Sequence, residues 1–139
     1  MIQPVLFDSS VYVSALRRGT RPDLRYPLEP VWLSSVVLEE LYAGASDRDR
    51  PNVEQLEAEF EENHRILVPS LRDWTQTGRV LARLAVKYGY EHIGKGRLTN
   101  DALISLSAGR LGVTVITHNE RDFKRLAEFV SFQWDLSAL

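Results

Sequence analysis

Four acidic residues stand where the organisation of the chain lets carboxylates meet. Asp8 directly follows the apolar run at residues 4–7, and Glu40 sits in the helix-like segment after the run 31–33. Asp101 opens the apolar stretch 98–111, and Asp122 follows the β-branched run 113–116. Carboxylates brought together repel one another, and some would stay protonated at neutral pH. A hard divalent cation resolves this, because Mg²⁺ or Mn²⁺ takes oxygen ligands and keeps waters in its shell. Such an ion activates water and stabilises the charge that builds on a phosphodiester oxygen. The residue types point towards metal-dependent phosphate chemistry.

Each acid also has a purely structural use. Asp8, followed by Ser9 and Ser10, suits the cap of a first helix. Thr99, Asn100 and Asp101 are all good cap residues, and an acid in a first helical turn complements the helix dipole. The stretch that Asp101 opens is apolar on nearly every side, however, so its carboxylate would be partly buried and need a partner. Asp122 by itself suits a surface acid or a cap. Glu39 and Glu40 separate by angle. At about 100° per residue, Val37, Leu38, Leu41 and Tyr42 mark the inward face, Glu40 falls at its border and Glu39 points nearly opposite.

The elements that must position these acids alternate along the chain. Strands are expected at 4–7, 31–33, 65–68, 113–116 and 129–132. Helices are expected at 11–16, from Ser34 or Ser35 to Ala43, at 52–64 (acidic and exposed), 70–88, 98–111 and 120–127. The stretch 19–30 holds Pro22, Pro27 and Pro30 and reads as an irregular excursion. In the helix 70–88, Trp74, Val80, Leu81, Leu84 and Ala85 recur at helical spacing. Strands alternating with helices imply a parallel sheet covered on both faces. In such a sheet ligands collect at the carboxyl ends of the strands, where all four acids lie.

Composition narrows the classes further. The 139 residues fit one domain, spanning 1–139, and contain no cysteine, which excludes disulfides, thiolate nucleophiles and Cys-based zinc sites. No apolar run approaches the roughly 20 residues of a membrane span, and the N-terminus lacks signal-peptide character, so a cytoplasmic protein with no membrane association is expected. The 17 Lys and Arg against 19 Asp and Glu argue against a broadly basic nucleic-acid binder. Setting aside Glu54, Glu57, Glu59, Glu61 and Glu62 leaves 17 positive charges against 14. Basic residues group at Arg17, Arg18, Arg21 and Arg25, at Lys95 and Arg97, and at Arg121, Lys124 and Arg125. The near-neutral total does not exclude a polyanionic substrate.

Four blocks carry a family resemblance. They are Val5-Leu6-Phe7-Asp8-Ser9-Ser10-Val11, Ser35-Val36-Val37-Leu38-Glu39-Glu40-Leu41, Asn100-Asp101-Ala102-Leu103-Ile104 and Val115-Ile116-Thr117-His118-Asn119-Glu120-Arg121-Asp122-Phe123. Together, in this order and spacing, they resemble the PIN domain, in particular the VapC-type toxins of toxin–antitoxin pairs. The resemblance implies a three-layer α/β/α sandwich with a central parallel β-sheet and a metal-dependent endoribonuclease. Asp8, Glu40 and Asp101 would bind Mg²⁺ or Mn²⁺, Asp122 would be the fourth acid, and Thr117 and Asn119 would line the pocket. A cognate VapB-type antitoxin and a homodimer are implied partners. Arg17, Arg18, Lys95 and Arg97 are candidates for contacts with the RNA phosphates.

Other readings fit less well. Haloacid-dehalogenase phosphatases need a second Asp where Ser10 stands, and a receiver domain needs an acidic pair where Asp8 stands alone. Gly94-Lys95-Gly96-Arg97 lacks the spacing and hydroxyl of a P-loop. The scattered His64, His92 and His118 do not make a His-pair ribonuclease. A housekeeping PIN nuclease and a non-catalytic PIN module remain the alternatives, the second disfavoured by the intact acids.

Overall fold

The computed structural model describes residues 3–25, 30–90 and 97–139. Strand β1 (Val5–Phe7) is buried at every position, as an apolar run inside a parallel sheet must be. With it lie β2 (Val31–Ser34), β3 (Ile66–Leu67), β4 (Thr114–Thr117) and β5 (Trp134–Leu136). All are parallel, in the order β3-β2-β1-β4-β5. Val5, Leu6 and Phe7 align with Thr114, Val115 and Ile116, which brings the ends of β1 and β4 side by side. After β1 the chain crosses to β2 on one side, and after β4 to β5 on the other. This reversal opens a crevice at the carboxyl ends of the two strands.

The helices are α1 (Ser9–Arg17), α2 (Ser35–Gly44), α3 (Arg50–Glu62), α4 (Leu71–Tyr88), α5 (Arg97–Leu111) and α6 (Glu120–Leu126). Helix α2 packs between α1 and α3, and α5 packs between α4 and α6. The architecture is the expected α/β/α sandwich, with an apolar core running from β1 through α5 to α6. Ser34 caps α2 by accepting the Val36 N–H at 3.2 Å. Gly112 takes φ 69°, a left-handed turn suited to glycine, and passes the chain from α5 to β4. Among the described residues, no helix is long and apolar enough to cross a membrane.

Three expectations need correction. The last strand is not 129–132: the N–H groups of Phe129 and Val130 donate to Leu126 O, so that stretch continues the end of α6 as a turn. The fifth strand forms instead at Trp134–Leu136, where Asp135 and Leu136 are exposed. An edge strand needs no continuous apolar run, so nothing in its sequence marked it. The glutamate-rich helix starts at Arg50 rather than 52, and it buries Val53, Leu56 and Phe60 at helical spacing. In α4, Trp74 is exposed and the inward row begins with Asp73 and Thr77. Asp73 turns inward because Arg110 of α5 reaches its Oδ2 at 3.0 Å.

Candidate active site

Asp8 closes β1 and caps α1 at once. Its Oδ1 accepts the Ser10 N–H at 2.9 Å and the Ser10 hydroxyl, and its Oδ2 accepts the Thr117 hydroxyl at 2.5 Å. The hydroxyls are themselves held by the loop after β4. Thr117 Oγ1 accepts the Asn119 N–H at 2.9 Å, and Ser10 Oγ accepts the His118 N–H at 3.2 Å. Two short relays therefore tie both oxygens of Asp8 to the neighbouring strand's loop. The cap use and the site use are met by the same buried side chain.

Glu40 projects from α2 at the rim of the core, half-buried, whereas Glu39 is exposed, as the helical angles predict. Its Oε1 is buried and makes no hydrogen bond. Burial pushes the Glu40 carboxyl above the usual range; hydrogen bonding with Asn100 and Ser9 pulls it back in part, and Asp8 and Glu39 repel its charge. Asn100 also donates to Glu39 Oε2 at 3.2 Å, linking α5 to α2.

Asp101 is 8% exposed and lies beyond the first turn of α5, since the helix starts at Arg97. Thr99, Asn100 and Asp101 are thus inside the helix, and the expectation that they cap it is corrected. An acid beyond the first turn of a helix gains little from the dipole.

These three carboxylates come from distant parts of the chain and line one cavity of about 690 Å³, together with Arg17, Arg18 and Asn119. Thr117 is fully buried behind Asp8 rather than in the lining. Asp122 does not line the cavity either. Its Oδ2 accepts the Asn119 Nδ2–H at 2.9 Å, so it reaches the cavity through Asn119, while Arg121 approaches its other oxygen at 3.4 Å. Lys95 and the Arg97 side chain lie outside the described residues. Ser10 and Asn100 stand in the sequence blocks, where capping was the use legible for them and their contacts with the acids were not. The only signal was a small hydroxyl beside an acid and an amide beside another.

The donor set suits a hard cation: three carboxylates, no soft ligand, and one buried carboxylate oxygen with an unused lone pair. Among the described residues no three acidic or histidine side chains yet converge on one point. The carboxylates share a cavity, and Glu40 has the longest and most adjustable side chain of the three.

Comparison with known proteins places the fold. Curated sequences give no match. Among solved structures, the DNA-bound VapBC of Salmonella typhimurium aligns with TM-score 0.70 at 23% identity, covering 98% of both chains. VapBC2 of Rickettsia felis, bound to a promoter DNA fragment, aligns with TM-score 0.66 at 21% identity, covering 97% of this chain and 99% of that one. VapBC-1 of nontypeable Haemophilus influenzae gives TM-score 0.63 at 19% identity over 96% and 97%. At these identities the likeness is one of fold. The PIN domain model matches residues 5–129, a stretch that contains Asp8, Glu40, Asp101 and Asp122, and the chain therefore belongs to the PIN domain family.

Proposed function

We propose that this protein is a divalent-metal-dependent endoribonuclease acting as the toxin of a VapBC-type pair. The observation that carries the reading is the cavity itself: Asp8, Glu40 and Asp101 all line it at the strand-order reversal, and one carboxylate oxygen is buried and unused. Mg²⁺ or Mn²⁺ would be held by these three residues, and when bound it supplies Lewis acidity towards water and a phosphodiester. The chain's own groups do the positioning. Ser10 and Thr117 donate to Asp8 and keep it an acceptor with a fixed plane. Asp122 orients the Asn119 amide at the cavity wall. Arg17 and Arg18 draw the phosphate backbone to the opening. The VapBC complexes among the structural neighbours support a VapB-type antitoxin as partner; a homodimer and a cytoplasmic site of action belong to the same proposal.

The test is RNA cleavage with Mg²⁺ or Mn²⁺, with a chelator control. Asp8→Asn and Glu40→Gln should each lower the rate by about 100-fold or more, past the loss typical of groups that only orient ligands. Equal activity in wild type and both variants would sink the proposed site. Growth arrest on expression that survives Asp101→Asn would remove the toxin reading.

A further inference from the structure

The acid-lined cavity does not stop at Glu40. A second cavity of about 680 Å³ continues from it, sharing Val13, Arg17 and Glu40 and running on between α1 and the connection from α2 to α3. Its floor includes Leu41 and Val53, both buried core residues, and its rim carries Ser46, Arg48, Asp49 and Asn52. Arg17 and Arg48 stand along this arm and can take the phosphate contacts that position a nucleic-acid strand.

Among the described residues, the cations along this groove are not engaged by carboxylates, whereas several elsewhere are. Arg21 is paired with Asp23 and Glu59, Arg50 with Asp47, Lys87 with Glu128 and Arg110 with Asp73. Arg17, Arg18 and Arg48 make no ion pair with any described residue, although acids stand close to Arg48. Asp47 is held by Arg50 at 2.8 Å, and the Asp49 carboxylate accepts the Ser46 hydroxyl at 3.1 Å. Arg48 is left exposed on the groove wall with its charge unneutralised.

We infer that the groove arm beyond Glu40 holds the nucleotide adjoining the scissile phosphate, with Arg48 as a phosphate-positioning residue. The inference rests on the nuclease reading above. The bond to be cut lies at the acids, and the strand must continue on from it. This arm is contiguous with the acids, and Arg17 and Arg48 stand in it clear of ion pairs with described residues, available to the phosphates of a strand that leaves the acids.

The test uses a single-stranded RNA oligonucleotide and the full chain as wild type, Arg48→Ala, Arg48→Lys and Arg79→Ala. Arg79 is exposed on α4 with no ion-pair partner among the described residues, so its variant removes the same charge away from the groove. In cleavage with Mn²⁺, Arg48→Ala should raise KM about tenfold, the size of one charge-assisted hydrogen bond, with the loss in KM rather than kcat. In binding followed by anisotropy with chelator present, the slope of log affinity against log salt should fall by about 0.7. Arg48→Lys should recover part of both, and Arg79→Ala should match wild type. Equal KM and equal salt slope for Arg48→Ala and Arg79→Ala would overturn the inference and leave the arm to a protein partner. A wild type that binds but does not cut RNA would instead defeat the nuclease reading, and an Arg48-specific loss of slope would still place the strand in the arm.

Discussion

Asp8 and Glu40 show two ways of holding a carboxylate at a site. Asp8 accepts from three donors, and the two hydroxyls among them are themselves held by backbone N–H groups, so its geometry is set before anything binds. Glu40 is held poorly: it is partly desolvated, and one oxygen is unsatisfied. A carboxyl raised in this way binds its proton more tightly in the folded chain than in the unfolded one. Its ionisation therefore costs stability, which falls as pH rises from the ordinary carboxylate range through the raised value. Glu40→Gln cannot ionise and escapes that loss. With chelator at neutral pH it should be more stable than wild type, by about 1 kcal/mol or less because the group is partly solvated. Thermal unfolding checks this, and a destabilised Glu40→Gln would contradict it. The choice of Glu40 over Glu39 was legible in sequence because the angle between neighbours on one helix is a local property. The indirect place of Asp122 was not, because Asn119 intervenes only in three dimensions.

At the scale of elements, α5 carries Asp101 and must sit close to its neighbours. Gly109 makes that possible on the side of the turn after α6. A Cβ there would lie 2.4 Å from the Ser131 carbonyl oxygen and 3.1 Å from Phe132 Cβ. Gly109→Ala should therefore destabilise the protein by about 1–3 kcal/mol, as an overpacked contact with backbone does. Gly78, on the exposed face of α4, has nothing within 4 Å of its would-be Cβ, so Gly78→Ala should gain about 0.4–1 kcal/mol. Urea midpoints for the two variants should move in opposite directions; movement in the same direction would remove the packing explanation. The helices were legible where caps and apolar periodicity agreed, as at Ser34 and α2. They misled where a large apolar side chain was read as inward, as at Trp74, because the Asp73–Arg110 pair that sets the rotation of α4 joins residues far apart in sequence. Strand β5 was missed because its register comes from β4 and not from its own composition.

At the scale of the molecule, the formal charge of −2 conceals an uneven distribution. Two glutamates of α3 are engaged, Glu59 with Arg21 and Glu57 with the Tyr42 hydroxyl, while Glu54, Glu61 and Glu62 face solvent. The acids that matter lie inside a cavity whose opening carries Arg17 and Arg18. Positions 8, 40 and 101 are joined by the topology alone. The rule that a parallel sheet gathers ligands at its carboxyl ends made a shared cavity readable, and Asp8, Glu40 and Asp101 line one cavity there. The central claim is that these three carboxylates form one divalent-cation site, and calorimetric titration of Mn²⁺ tests it most directly. Wild type should show saturable binding, and Asp8→Asn, Glu40→Gln and Asp101→Asn should each weaken it by about tenfold or more. Three folded variants that bind Mn²⁺ as tightly as wild type would contradict it.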